Sequence, residues 1–129
     1  MRIAQYSIAR VAPDTEDAEC VVTTFGPGQG GSTEQNLDRW IRQFAADDKT
    51  TLEKTARTVN GLTVTMLEMS GTYRGMGDGA ARRGARMLAS VVETPNGSFF
   101  FKLTGPDATV SQAKASFEAL LGSLTTVAR

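Results

Sequence analysis

The sequence predicts an α+β fold, a three-layer α-β-α sandwich built on a mainly antiparallel sheet. Three observations lead there. Two Asn-Gly dipeptides, Asn60-Gly61 and Asn96-Gly97, lie between runs of strand-forming residues and signal hairpins. Two segments, one carrying Trp40 and the other Phe117, repeat apolar residues at helical spacing. Several strand candidates are apolar on both faces, so they need cover on both sides, and the two helices supply it.

The elements follow in order. Residues 2–11 alternate, with Ala4, Tyr6 and Ile8 on one face and Gln5 and Ser7 on the other, as a half-buried strand does. Pro13 to Asp17 forms an acidic turn. It lacks the Asp-x-Asp-x-Asp-Gly spacing of a calcium loop, so a solvated turn is expected. Residues 18–25 form a strand with Cys20 and Val22 on one face and Val21 and Phe25 on the other, which places it inside the sheet.

The stretch FGPGQGGSTEQNLDRWIRQF, residues 25–44, is the organising one. Its glycines stop the strand. Ser32 fits an N-cap with Gln35 completing a capping box, and a helix is predicted over 33–46. Leu37, Trp40, Ile41 and Phe44 make its apolar stripe, with Asp38, Arg39, Arg42 and Gln43 on the other side. A glycine loop before a helix invites a phosphate reading, but the P-loop lysine and the parallel βαβ setting are both missing. A structural turn is expected.

Residues 51–59 are mostly polar and read as an edge strand. Turning at Asn60-Gly61 pairs Val59 with Leu62 and Arg57 with Val64, and sets Glu53 opposite Glu68. Two facing carboxylates repel, so the pairing is predicted to loosen by Lys54. Residues 62–73 form a long strand, Val64 and Met66 on one face and Leu67 and Met69 on the other, with a bulge at Gly71. Arg74 to Ala85 has no usable period and reads as a loop. Residues 86–94 and 98–104 flank the second turn. A loop at Asn96-Gly97 places Val92 opposite Phe101, Ser90 opposite Leu103, Glu93 opposite Phe100 and Val91 opposite Lys102, with Glu93 and Lys102 diagonal neighbours. Asp107 or Thr109 caps the last helix, Thr109 with Gln112 as a capping box. Its stripe is Val110, Ala113, Phe117, Leu120, Leu121 and Leu124.

Composition narrows the function. At 129 residues the chain reads as one domain, 1–129. Lysine plus arginine equals aspartate plus glutamate at 14 each, which argues against nucleic acid as the main partner. No apolar run reaches membrane-spanning length, and no signal-peptide pattern is present. Histidine is absent and cysteine occurs once, which removes histidine-based triads, most zinc sites and any internal disulfide. Cys20 is expected to be a buried, inert thiol. No cofactor site is predicted.

The concentrated basic feature is Arg82, Arg83 and Arg86. With Arg74, Asp78 and the Gln29 turn it makes the candidate binding surface, since guanidinium forks match carboxylates and phosphates. A solvated loop is the plainer alternative. For an enzyme, the available acids are Asp38, Glu68, Asp78 and Glu93. Glu68 inside an apolar strand stands out, although it could simply meet solvent or Lys54 across the hairpin. For a ligand carrier, Met66, Met69, Met76 and Met87 could line an adaptable pocket, or fill core.

The element order resembles the Mog1/PsbP-like fold. More narrowly, FGPGQGGSTEQNLDRWIRQF, SGTYRGMG and FFFKLTGP are similar to segments of uncharacterised bacterial proteins of that type. That resemblance implies a domain beginning one strand before Met1, and an exported or lipid-anchored protein; a native start at Met1 would instead imply the cytoplasm. Mog1 proteins bind a small GTPase and PsbP proteins assist photosystem II, but no binding residue of either matches this sequence. The function expected is a non-enzymatic binding or accessory module with a protein partner. The alternatives are a small-ligand carrier or a small carboxylate-dependent hydrolase.

Overall fold

The computed structural model describes residues 2–47, 49–74 and 81–125. Among these residues six strands and two helices follow in the order β1 (Arg2–Ile8), β2 (Ala18–Phe25), α1 (Thr33–Ile41), β3 (Thr51–Val59), β4 (Leu62–Tyr73), β5 (Arg82–Thr94), β6 (Gly97–Pro106) and α2 (Asp107–Gly122). The strands make one antiparallel sheet in the order β1-β2-β6-β5-β4-β3. The fold is therefore α+β. β3 is an edge, and β2, β5 and β6 are interior, as their two-sided apolar patterns require.

Two cores form on opposite faces of this sheet. Side chains alternate along a strand, so Phe100 and Phe101 point to opposite sides. Phe100, Leu67, Met69, Met87 and Val91 pack with Leu37 and Trp40 of α1. Phe101, Val64, Leu88, Val92 and Leu103 pack with Val110, Phe117 and Leu121 of α2. Cys20 and Val22 join the α2 side. Met69 and Met87 are fully buried core, Met66 packs partly buried against the α2 side, and Met76 lies outside the described residues. Leu120 stays 42% exposed and Tyr6 57%, although the sequence places both on apolar faces. α2 lies over β5 and β6, whereas β1 is the far edge, so Tyr6 has little to pack on.

The first hairpin follows its predicted register. Asn60 and Gly61 both take positive φ, 49° and 83°, as a type I′ turn demands. The expected loosening at Lys54 does not occur, and pairing runs on to Thr51–Ser70. Glu53 does face Glu68, but Glu68 accepts from Arg86 at 2.6 Å and from Lys114 at 2.8 Å, which offsets the repulsion. Lys54 cannot reach Glu68. It projects to the α1 face and pairs with Glu34 at 3.1 Å.

The second hairpin turns one residue earlier than predicted. Thr94 pairs with Gly97, so Pro95-Asn96 is the loop. Pro95 has no N–H with which to close an Asn96-Gly97 loop against Ser98, whereas its fixed φ suits the first position of the loop, and Thr94 Oγ1 accepts from the Asn96 N–H at 3.1 Å. The register moves accordingly. Val92 faces Phe99, Ser90 faces Phe101, Val91 faces Phe100 and Lys102 faces Ala89. Partners shift by two residues, so every side chain keeps its face. Glu93 now faces Ser98, and its diagonal contact with Lys102 is lost.

Other boundaries also differ, and β6 pairs on through Gly105 and Pro106, past its predicted end at 104. β1 ends at Ile8, before its predicted limit. α1 ends at Ile41, because Phe44 leaves the helix to bridge Tyr73 and the Ala45 N–H donates to Thr72 at 2.9 Å. The segment read as a loop yields Arg82 to Ala85 to β5. The capping box of α1 is present, with Ser32 Oγ and Gln35 satisfying each other's backbone N–H groups. α2 is capped differently. Pro106 is its N-cap without a side-chain bond, and Asp14 from the β1–β2 turn takes both the Thr109 N–H and hydroxyl at 2.7 Å.

Candidate functional site

The predicted surface divides between the two ends of the sheet. β2 enters beside Thr104 and leaves beside Ser98, so Gln29 beyond its end lies roughly 23 Å from the arginines, at about 3.3 Å per strand residue. The two features are not neighbours, contrary to the expectation. Asp78 lies outside the described residues. Arg74 is exposed, and its N–H is fixed to the Gln43 carbonyl at 2.6 Å.

At the arginine end two clefts adjoin. One, of about 580 Å³, runs between the acidic turn at Asp14–Asp17 and the start of β5. The other, of about 770 Å³, runs between Asp47, Gly71 and Asp107. Arg83, Gly84 and Ala85 border both and form their shared lip.

Most charges here hold the fold together. Arg82 meets Glu16 at 2.5 Å, Arg10 meets Asp17 at 3.0 Å, and Arg86 meets Asp107 and Glu68, each at 2.6 Å. Burial opposes the charge on Arg86, yet Asp107 and Glu68 keep its pKa above the ordinary arginine value. Hydrogen bonding to Glu68 raises Lys114 in the same way. The backbone and side-chain bonds from Arg10 hold the exposed Asp17 carboxyl below its usual range. Arg83 is exposed and forms no ion pair among the described residues.

The candidate acids do not converge. Glu68 is buried beneath α2, Asp38 is exposed on the outer side of α1, and Glu93 is exposed beside the hairpin turn. Cys20 is buried, and burial pushes its thiol pKa up. A thiol with a raised pKa is a poor nucleophile. Among the described residues, no three metal-ligating side chains come together, and no helix is long and apolar enough to cross a membrane.

One residue escaped the sequence reading. Lys102 lies mid-strand on β6, between Ala89 and Val21, and projects to the α1 face. Its Nζ donates to Gln43 Oε1 at 2.5 Å and lies 6.0 Å from the Trp40 ring and 5.8 Å from the Tyr73 ring. Burial, and then the charge of Arg39, lowers its pKa to about 8. The signal was present in FFFKLT, because a lysine in a strand covered on both faces has no open water in which to leave its charge. The misplaced register concealed it by supplying Glu93 as a partner.

No family model matches the chain, and no curated protein does. Among solved structures the chain is similar to PA94 of Pseudomonas aeruginosa, a protein of unknown function, with a TM-score of 0.65 at 11% identity. The match covers 98% of this chain and 83% of that one, and it is a likeness of fold.

Proposed function

We propose that the chain is a non-enzymatic binding module of the Mog1/PsbP-like type, a three-layer α-β-α sandwich that associates with a protein partner. Support for the layering is that α1 and α2 bury opposite faces of one sheet. The bacterial envelope is the proposed place of association, on the resemblance alone. What carries the binding reading is the engagement of the acids at the arginine end. Asp14 caps α2, Glu16 and Asp17 pair with arginines, and Glu68 and Asp107 share Arg86. A general base must be able to reach a substrate proton, and these carboxylates are committed to structure. Arg83 remains at the lip of two open clefts, where a guanidinium fork suits an acidic protein surface.

The test is photo-cross-linking in cells. A photoreactive residue at Arg83 should yield a discrete protein adduct that the same residue at exposed Glu118 does not. Identical bands at both positions, or none at Arg83, would count against this surface.

A further inference from the structure

A third cavity, about 310 Å³, opens on the α1 face of the sheet, between α1 and the β2–β6 pair. Val21, Phe25 and Phe100 give it an apolar floor, and Trp40 and Tyr73 wall the Lys102 end. Three cations border it: Lys102 from β6, Arg39 from α1 and Arg2 from β1. Glu19 of β2 is the acid bordering it, and it is occupied in accepting from Gln5 at 2.7 Å. Arg2 donates to Gln5 at 2.8 Å. Lys102 and Arg39 form no ion pair among the described residues. A lysine this deep is ordinarily matched by a carboxylate, because an unmatched buried charge is costly. Here the hydrogen-bonded acceptor is a neutral amide, and the charge that shifts the amine is another cation, Arg39.

We propose that this groove binds a small aromatic monocarboxylate. Its carboxylate lies between Lys102 and Arg39, and its ring rests on Val21, Phe25 and Phe100. The charge argument selects an anion. The floor selects an attached apolar ring, since Phe25 and Phe100 meet there with centroids 5.2 Å apart and planes tilted by 48°, an aromatic surface against which a further ring can pack edge or face. Glu19, from the same side of β2, selects a single negative charge over two. The volume is at the small end for ligand sites, which fits one ring and its acid. Glu19, Tyr73 and Thr104 border this groove and also the cleft lined by Arg83, so an occupied groove adjoins the proposed association surface while standing independently of it.

Trp40 is the single tryptophan, so its fluorescence reports the site directly. Phenylacetate should perturb it saturably. Phenylacetamide and acetate should each bind at least tenfold more weakly, one lacking the charge and the other the ring. Binding should take up protons at pH values above about 8, because the carboxylate favours charged Lys102. The groups facing that amine are Arg39, Glu19, Tyr73, Gln43 and Arg2, so the uptake must vanish in Lys102→Met. Lys102→Met and Arg39→Ala should weaken binding at least tenfold with unchanged far-UV circular dichroism. Should Lys102→Met fail to fold, Arg39→Ala, with its exposed side chain, carries the test alone. Inorganic phosphate binding as tightly as phenylacetate would overturn the carboxylate assignment. Equal binding of phenylacetamide would overturn the anion site, and unchanged affinity in both variants would remove the site from this groove.

Discussion

Replacing Lys102 by methionine should make the protein more stable, and the size of the gain follows from the structure. The amine is held by the Trp40 and Tyr73 rings and donates to Gln43, its one hydrogen-bond acceptor among the described residues. Its pKa falls from 10.5 to about 8. At ~1.4 kcal/mol per pH unit, keeping it charged at neutral pH costs on the order of 3 kcal/mol. Methionine has a similar length and flexibility and no charge, so about 1–3 kcal/mol should be recovered. For a domain of this size that is a rise in Tm of roughly 4–10 °C. The pH dependence fixes the cause. Between about 8 and 10.5 the unfolded chain retains the Lys102 proton while the folded chain releases it. The unfolded state then binds more protons, so wild-type stability rises with pH across that window. The variant lacks this contribution, and its advantage should shrink as pH climbs from about 8 to 10.5 and level off on either side. Urea unfolding of both proteins across that range is the assay. A variant less stable than wild type at neutral pH, or an advantage independent of pH, would refute the argument.

Other substitutions probe the frame around this groove. Glu68→Gln removes the carboxylate charge that Arg86 and Lys114 share and turns one of its two acceptor oxygens into a donor; Arg86 keeps Asp107, so the loss should be about 2 kcal/mol by denaturant titration, below that for a fully buried pair. Gly97→Ala should cost at least ~2 kcal/mol, since φ is 128° and a Cβ there collides with the Phe25 carbonyl; a neutral outcome in thermal melts would contradict the close approach of β6 to β2. Asp14→Ala removes the cap that β1–β2 lends to α2, and about 1 kcal/mol should be lost, with faster hydrogen exchange confined to the first turn of that helix.

How much was legible in the chain depends on the range of the interaction that decides each feature. Asn60-Gly61 sets its own register because both residues accept positive φ and no neighbour objects. At Asn96-Gly97 the adjoining Pro95 forbids that turn and moves the loop by one residue, a local conflict visible in the sequence. The burial stripes of Leu37–Trp40 and Val110–Phe117–Leu121, and the two-sided character of β2, β5 and β6, follow from side-chain period alone. By itself, then, the sequence determined the α+β class, most elements and which faces are apolar.

The tertiary structure decided the partners. Only folding shows that Asp14 caps a helix nearly a hundred residues on, that Phe44 quits its helix for Tyr73, and that Arg82 and Arg86 are consumed by Glu16, Glu68 and Asp107. It also separates Gln29 from the arginines by the length of β2 and sets the charge of Arg39 against Lys102, which forms no ion pair among the described residues. Local periodicity reports what a residue's neighbours along the chain will tolerate; charge balance depends on which distant groups the packed sheet brings within a few ångströms, and no pattern along the chain encodes that.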